Sequence, residues 1–317
     1  MDYRRIYTYK LLDWIDEKKI FWCNLSSNEN AMDLLERHPS KIIWYWLSSN
    51  RNAIRILEKN QERIEWSDLS SNPSAMDLLK KNREKITWYW LSLNENAIDL
   101  LEKNPENINW ENLSSNRNAI HLLEKNPEKI DWYNLCDNEN AVRLIEKYPE
   151  KINWSVLSSN ENAIHLLEKN LEKINWNRLS SNTNALHILE KYPEKINWNN
   201  LSDNPAAVDF LTKNLSEVKW RWLSFNKNAM ELLEKNPSKI DWKILSTNPN
   251  AIDLLKKNPS KICWYRLSLN PSIFEKKINY KFLTERMDII REELMMISMH
   301  PSRLERFLEM GGEIDDF

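Results

Sequence analysis

The sequence predicts an all-α fold, namely an elongated right-handed α-solenoid of about twelve 22-residue repeats with a helical C-terminal cap. Three observations predict it: Trp recurs at a fixed spacing, each unit has apolar residues at helical spacing, and the 317 residues include only two Gly. We number the repeats 1 to 12 and count the Trp of each repeat as position 0. The recurring residues, which we expect to be structural core, are Trp22, Trp44, Trp66, Trp88, Trp110, Trp132, Trp154, Trp176, Trp198, Trp220, Trp242 and Trp264.

The main helix of each unit is predicted to begin after position 6, which is Asn in every repeat. Asn is a favourable N-cap, and position 7 is sometimes Pro, as in Pro73, which suits the first helical residue. Apolar residues at positions 9, 10, 12 and 13 cover one face of a helix of about nine residues. At position 16, Asn60 and its equivalents are expected to end this helix in the left-handed conformation.

A second, shorter element runs from Trp at position 0 to Ser at position 4. Asn or Asp often precedes the Trp, as Asp131 does, and can cap one turn of α- or 3-10 helix. Each repeat is therefore a short turn plus a helix. Twelve such layers at roughly 8–10 Å per packed helix predict an extended path of about 100–120 Å.

The two ends of the chain depart from the repeat. We expect residues 1–21 to form an N-terminal capping half-repeat, since Leu12, Lys19 and Ile20 match repeat positions. Residues 22–277 are the tandem repeats, and residues 278–317 a helical C-terminal cap with an acidic tail. Within the cap, residues 281–298 and 301–310 read as amphipathic helices. A docking helix for a partner is the alternative to a cap.

Composition excludes several functional classes. The scarcity of Gly argues against a phosphate-binding loop, a dinucleotide fingerprint and a nucleophile elbow. Three unpaired Cys and no visible signal peptide or apolar span indicate an intracellular, reducing location without membrane insertion. The net charge of −2, with interspersed signs, makes nucleic acid an unfavoured partner. Since His121, His165 and His187 read as surface residues, we expect no metal, no cofactor and no enzymatic activity.

A second period of 44 residues overlies the first. Aromatic residues at positions 1 and 2 occur only in even-numbered repeats, and repeat 8, with Asn177 and Arg178, is the exception among these. One interpretation is descent from a duplicated pair of repeats, or an alternating packing need. The other is an exposed aromatic stripe that anchors a partner. With two neighbours at position 5, the candidate partner-binding residues are Tyr45, Trp46, Tyr89, Trp90, Leu93, Tyr133, Trp222, Phe225 and Tyr265.

The pattern Trp-x-x-Leu-Ser-x-Asn-Pro-x-Ala-Ile-x-Leu-Leu resembles tandem-repeat proteins of giant DNA viruses of amoebae. The segments LLDWID at residues 11–16 and HPSR at residues 300–303 are similar to the ends of that family. The resemblance implies an α-helical repeat without known chemistry, located in the host cytoplasm or in the virion. A looser similarity links the unit to leucine-rich variant repeats, which alternate α- and 3-10 helices.

Taken together, these features predict a non-enzymatic scaffold that binds a protein partner along an extended surface. One alternative is binding of single-stranded nucleic acid, with bases stacked on the aromatic residues. A structural or self-assembling protein is the other alternative. The sequence leaves the oligomeric state open.

Overall fold

The structure is a computed structural model that describes residues 6–298 together with residues 300, 303 and 306. It divides into two compact units, which we describe separately. Residues 11–274 form the repeat unit, and residues 1–10 with 275–317 form the terminal unit.

Each repeat begins with a short α-helix that starts at the Trp of position 0. These first helices are α1 (Trp22–Ser27), α3 (Trp44–Ser48), α5 (Trp66–Ser71), α7 (Trp88–Leu91), α9 (Trp110–Ser115), α11 (Trp132–Asp137), α13 (Trp154–Leu157), α15 (Trp176–Leu179), α17 (Trp198–Asp203), α19 (Trp220–Leu223), α21 (Trp242–Leu245) and α23 (Trp264–Leu267).

Eleven of the repeats continue into a second α-helix. These second helices are α2 (Met32–Arg37), α4 (Ile54–Glu58), α6 (Met76–Lys81), α8 (Ile98–Glu102), α10 (Ile120–Lys125), α12 (Val142–Glu146), α14 (Ile164–Glu168), α16 (Leu186–Leu189), α18 (Val208–Lys213), α20 (Met230–Lys235) and α22 (Ile252–Lys257).

Short 3-10 helices connect these elements. Those at positions 7–9 are Pro73–Ala75, Glu139–Ala141, Glu161–Ala163, Pro205–Ala207, Pro249–Ala251 and Pro271–Ile273. Those at positions 17–19 are Glu17–Lys19, Pro39–Lys41, Gln61–Arg63, Arg83–Lys85, Pro105–Asn107, Pro127–Lys129, Pro149–Lys151, Leu171–Lys173, Pro193–Lys195, Pro237–Lys239 and Pro259–Lys261. The alternation of α- and 3-10 helices confirms the predicted all-α repeat.

The second helices are shorter than predicted, with four to six residues. Asn at position 6 does act as a cap, since the Asn72 Oδ1 atom accepts a hydrogen bond from the Ser74 backbone N–H at 3.0 Å. That bond closes a turn or 3-10 helix over positions 7–9, so the α-helix starts at position 10. The cap residue was therefore identified correctly, but the helix it precedes begins three residues later.

The left-handed conformation predicted at position 16 is wrong. Asn60 has φ −137° and ψ 50°, and its side-chain amide donates to the Ile56 carbonyl at 2.8 Å. Tyr148 has nearly the same backbone angles at the equivalent position. Because φ is negative, any residue can occupy this site without strain, and Asn contributes a hydrogen bond instead of a rare backbone conformation.

The core lies between the layers of first and second helices. Leu25 at position 3 and Leu35 at position 13 are fully buried, as is Ala31 at position 9. The twelve Trp of position 0, predicted as core, are only half-buried at its edge. Several carry a cation over the ring, as Lys85 does over Trp66 at 4.7 Å from the centroid. Long apolar stems on Lys cover such rings, so the Trp seals the core without entering it.

An Asn side chain joins each repeat to the one before it, and a Ser side chain ties the start of each repeat to its own end. The buried Asn94 donates from its amide to the Ser70 and Asn72 carbonyls, both at 3.0 Å. The hydroxyl of Ser70 accepts from the Thr87 backbone N–H at 3.0 Å. Equivalent bonds recur along the array, with Cys136 replacing Ser in repeat 6 and accepting through Sγ at 3.3 Å. This ladder satisfies buried polar groups that would otherwise be costly.

The ladder does not stop at repeat 12, because repeat 1 makes the same bonds to it. The Asn28 amide donates to the Ser268 and Asn270 carbonyls, both at 3.2 Å. The repeats therefore form a closed ring. The predicted elongated path is wrong, because each layer turns by about 30° and twelve such turns complete the circle. Its handedness stays a prediction.

Repeat 12 is split between the two ends of the chain. Residues 264–273 supply positions 0–9, and residues 12–21 supply positions 12–21. The Leu12 N–H donates to the Ile273 carbonyl at 2.9 Å, as the Leu34 N–H of repeat 1 donates to the Ala31 carbonyl at 3.0 Å. Lys19 lies over the Trp264 ring as Lys85 lies over Trp66. The predicted capping half-repeat is thus the second half of the last repeat, and the array ends at residue 273 instead of 277.

The first helices form the inner layer of this ring. Neighbouring first helices, such as α9 and α11, approach each other more closely than neighbouring second helices do. In a closed ring, the layer with the smaller spacing lies at the smaller radius. With helices roughly 8–10 Å apart, the inner axes lie on a circle of about 15–19 Å radius. Subtracting a helix radius of about 5–6 Å leaves a bore about 19–28 Å wide.

The terminal unit contains structure that the sequence did not predict. Strands β1 (Tyr7–Leu11) and β2 (Phe274–Ile278) form a two-stranded sheet. Bonds from Leu12 to Ile273 and from Asn279 to Ile6 flank it, which makes the pair antiparallel. Helix α24 (Tyr280–Ser298) confirms the helix predicted over 281–298. Because repeat 1 covers repeat 12, the array has no open end for a cap. Most of residues 301–317, predicted to hold a last helix and an acidic tail, lie outside the described residues.

The inner wall of the ring as candidate functional site

Positions 1, 2 and 5 of the first helices form the inner wall. Residues at positions 3 and 4 are buried against the second helices, as Leu91 and Ser92 are in repeat 4. The opposite side of the same short helix must therefore face the bore. Every predicted partner-binding residue occupies one of these three positions, in repeats 2, 4, 6, 10 or 12.

The aromatic residues of the wall are exposed. Their side chains range from 39% exposed at Trp222 to 54% at Tyr133, whereas Leu135, two residues after Tyr133, is 0% exposed. At position 2 the burial also alternates, since Asn112 and Val156 of odd repeats are buried where Trp90 of an even repeat is exposed, so an alternating packing need stays a prediction. Descent from a duplicated pair stays a prediction. Leu93 and Phe225 at position 5 are half-buried and support the wall beside the exposed rings.

Neighbouring aromatic side chains order one another. Tyr45 meets Trp46 edge to face with ring centroids 5.2 Å apart, and Tyr89 meets Trp90 in the same way at 5.1 Å. Edge-to-face pairs contribute about 0.5–1.5 kcal/mol beyond the burial of their area. The exposed rings are thus held in fixed positions by their neighbours.

One hydrogen bond crosses the wall between repeats that are not neighbours. Arg178 of repeat 8 donates to the Tyr133 hydroxyl of repeat 6 at 3.3 Å, passing repeat 7. On a twelve-membered ring, the distance between Cα atoms two repeats apart equals the radius of their circle. Extended Arg and Tyr side chains plus this bond reach about 17 Å, which agrees with the radius from helix spacing. The bond is therefore compatible with the curvature of the ring.

Closure of the ring adds Phe21 to the wall, a residue that sequence reasoning missed. Its ring, 44% exposed, meets Tyr265 edge to face at 5.3 Å between centroids. Phe21 stands at the position before Trp22, where Ile43 is also exposed in repeat 2. Its match with that position was visible in the sequence, but its partner lies 244 residues away and only the closed ring shows it.

Charged side chains are unevenly distributed around the wall. In positions 1, 2 and 5, the acidic residues are Asp68, Glu111, Asp137 and Asp203, and the basic residues are Arg178, Arg221, Lys243 and Arg266. Repeats 3 to 6 carry only acidic charges at these positions, and repeats 10 to 12 carry only basic ones. Counted by repeat, Glu111 lies directly across the ring from Lys243, and Asp137 from Arg266. The sequence showed only a near-zero net charge, because the two sectors cancel.

Two of these carboxyl groups lie in surroundings that disfavour their charged form. Partial burial raises the pKa of Asp203, and it raises the pKa of Asp68, where Glu65 adds repulsion and a hydrogen bond from Ser67 opposes the shift. Desolvation disfavours the charged form of a carboxyl group. A cationic partner beside either group would compensate for the lost hydration.

The outer face carries a different pattern. His121, His165 and His187 at position 11 each lie 2.7–2.9 Å from a Glu at position 14 of the preceding repeat. These pairs are exposed, as predicted for surface His. Within the part of the chain that the structure describes, no group of three or more His, Cys, Asp or Glu side chains is placed to hold a metal ion.

No family model, curated protein or solved structure matches this chain at a significant level. The resemblance to giant-virus repeat proteins and to leucine-rich variant repeats therefore stays a prediction. Among the described residues, no helix combines the length and the apolar character needed to cross a bilayer.

Proposed function

We propose that this protein is a non-enzymatic ring that holds a protein partner in its bore. The observation that carries the proposal is the set of ordered, exposed aromatic side chains on the inner wall. Tyr and Trp dominate the energetics of protein interfaces because they bury a large area at a small entropic cost. A concave wall places several such anchors around one occupant.

The bore suits a segment of polypeptide. An α-helix with its side chains is about 10–12 Å across, so a helix or an extended chain fits an opening of about 19–28 Å. Trp90 of repeat 4 and Trp222 of repeat 10 lie six repeats apart and so face each other across the ring. An occupant can therefore be contacted from two sides at once.

Self-assembly through the repeats has less support. An open solenoid exposes an uncovered repeat at each end, and that surface can join another copy. Here repeat 1 covers repeat 12 through the same hydrogen bonds that join the other repeats. Growth by stacking repeats end to end would first have to open the ring.

Site-specific photo-crosslinking tests the proposal. A photo-reactive amino acid replaces Tyr133 on the inner wall or, as the matched control, His165 on the outer face, in the cells that naturally contain the protein. We expect a covalent adduct with one protein from position 133, resistant to nuclease, and no such adduct from position 165. Adducts only from position 165 would contradict the proposal, and a nuclease-sensitive adduct would favour the nucleic-acid alternative.

Alanine variants sharpen the same test. Trp90→Ala and Trp222→Ala should reduce recovery of the adduct while changing the melting temperature little, because both side chains are exposed. If stability falls as much as it does for Trp88→Ala, these residues support the fold and are not anchors.

A further inference from the structure

The charge distribution on the inner wall specifies the chemistry of its occupant more closely. We infer that the bore takes a polypeptide segment with basic side chains on one face and acidic side chains on the opposite face. The inference rests on the proposed function, and it adds the partner's charge pattern and its orientation in the ring. The basic face would lie against repeats 3 to 6 and the acidic face against repeats 10 to 12.

The basic sector is unpaired within the protein. Arg221 and Lys243 are exposed, Arg266 is half-buried, and none of the three makes an ion pair in the described part of the chain. Lys219, just before Trp220, is exposed on the same side. Cations on one arc of a concave wall attract an acidic surface. The concave shape also concentrates their positive electrostatic potential in the bore.

The acidic sector lies across the bore. Asp68, Glu111 and Asp137 belong to repeats 3, 5 and 6 and make no ion pair in the described residues. The exposed Glu65 precedes repeat 3 and raises the local negative charge further, which contributes to the raised pKa of Asp68. A basic face placed here would pair with these carboxyl groups and compensate for the desolvation of Asp68.

The distance across the bore suits one helix with long charged side chains. Cα atoms lie about 2.3 Å from a helix axis, an extended Arg or Lys adds about 6–7 Å and an extended Glu about 4–5 Å, so such a helix spans about 15–17 Å. The charged side chains of the wall extend into the bore and reach the remaining distance. Contact with both sectors at once is then possible, while apolar residues between the charged faces meet the Tyr and Trp side chains.

A nucleic acid fits this wall poorly. Its phosphates carry negative charge along the whole strand, and in the bore they would face Asp68, Glu111 and Asp137 as well as the cations. The acidic sector, repeats 3 to 6, would repel them. The same argument excludes a uniformly basic or uniformly acidic peptide as the best occupant.

The test is selection of helical peptides on the intact ring. A displayed library keeps a few Leu and Trp anchors and randomises the remaining helix positions among Glu, Lys and Gln. Sequences that also bind the Trp90→Ala/Trp222→Ala ring are discarded. We expect the enriched peptides to carry Lys and Glu on opposite helix faces. Enrichment of one charge sign, or of uncharged peptides, would overturn the inference and leave the proposed function standing. Absence of any enrichment would count against both.

Charge-neutralised rings then give the orientation. The variant Arg221→Gln/Lys243→Gln/Arg266→Gln should weaken an enriched peptide about tenfold or more, with the loss reduced at high salt. The control Lys80→Gln/Lys125→Gln/Lys256→Gln removes the same net charge from exposed positions on second helices and should change affinity less than about twofold. Equal losses of affinity in the two triple variants would show that only net charge matters and would overturn the inference. Binding of the single-stranded RNA oligouridylate more tightly than the peptide would overturn it as well.

Discussion

In repeat 3 the chain runs without a break from Trp66 to Thr87, whereas repeat 12 is assembled from segments at opposite ends of the chain. Both contain the same features: a first helix that starts at Trp, a 3-10 turn after the Asn of position 6, and a cation over the Trp ring. Even the position 12 to position 9 backbone bond is kept across the break. The repeat is therefore specified by its local hydrogen bonds and by its neighbours, and covalent continuity is not required.

The chain break inside repeat 12 still matters for the stability of the ring. If an interface between two intact repeats loosens, the peptide chain holds the two sides close together. If the interface between repeats 12 and 1 loosens, nothing but the split repeat itself and the strand pair opposes opening. Closing a long loop carries an entropic cost that grows slowly with its length. We therefore expect the ring to open first at repeat 12.

Removal of residues 1–21 should have the largest effect, because it takes away the second half of repeat 12. Ile15 and Ile20 are buried, and each contributes about 1.5–3 kcal/mol. With the lost hydrogen bonds, we expect a loss of about 5 kcal/mol or more. Thermal unfolding measures the loss, and small-angle scattering should show a larger radius of gyration. Removal of residues 281–317 is the control and should leave the ring closed. An unchanged radius after the first deletion would refute closure.

Loss of the Asn amide at one interface should have the next largest effect. Asn28→Ala at the split interface and Asn138→Ala at an intact one should each cost about 1–3 kcal/mol, because both leave buried carbonyls without a donor. Hydrogen exchange should distinguish them. Asn28→Ala should accelerate exchange in repeats 1 and 12 selectively, while Asn138→Ala should not open the ring. Equal exchange patterns would mean that the split interface is no weaker than the others.

A smaller effect is expected from the cations over the Trp rings. Lys19→Ala removes the cation from Trp264 across the chain break, and Lys85→Ala removes it from Trp66 within one repeat. Each should lower the free energy of unfolding by about 0.5–1 kcal/mol, as measured by denaturant titration. Lys→Met variants, which keep the apolar stem, separate charge from packing. A much larger effect at Lys19 would show that it helps to close the ring.

Position 5 allows a comparison of pH dependence, since intact repeat 9 carries Asp203 there and the split repeat carries Leu269. Desolvation raises the pKa of Asp203 above its value in the unfolded chain. The protonated form of Asp203 is therefore favoured in the folded state. The ionised form destabilises the fold, and this destabilisation develops as the pH rises through the raised pKa. Asp203→Asn should stabilise the fold slightly at neutral pH, by less than about 0.5 kcal/mol because the side chain is only partly buried, and should not stabilise it at acidic pH; thermal unfolding at the two pH values measures this. A gain that is equal at both pH values would contradict the assignment.

The smallest effect is expected from a circular permutation. Joining residue 273 to residue 12 through two inserted residues, and placing the new ends between Ala141 and Val142, after position 9 of repeat 6, moves the break to another repeat. If continuity is irrelevant to the fold, the melting temperature should stay within a few degrees of the wild-type value. The early-exchanging region should move to repeat 6. Failure of the permutant to form a compact ring would show that repeat 12 is specialised for closure.

The repeat could be predicted from sequence because each unit carries its own local information. Each 22-residue unit contains its own Trp, its own Asn cap such as Asn72, and its own apolar residues at helical spacing. The ring could not be predicted in the same way. The turn of each layer depends on the angle between packed helices, and a few degrees per repeat separate an open superhelix from a closed circle. The match of Lys19 and Ile20 to repeat positions is visible in the sequence, but it fits a cap as well as half of a repeat.

The wall was predicted in part for a similar reason. The aromatic residues were found because their alternation stands out along the sequence, and the structure exposes them all on one surface. The two charged sectors were missed because they are separated by half a circle and not by a sequence period. Glu111 and Lys243 are 132 residues apart, and only six turns of equal angle place them opposite each other.

Closure limits how such a gene can change. A solenoid with free ends can gain or lose a unit by unequal recombination, and the added copy merely lengthens it. A circle admits no such freedom: eleven units would need a turn of about 33° each, and thirteen about 28°, at interfaces whose Asn and Ser bonds are built for about 30°. An in-frame duplication of 22 codons would therefore strain every interface in the protein, including those far from the inserted copy. Copy number becomes a selected property of the whole circle, and substitutions within units are the remaining route of variation.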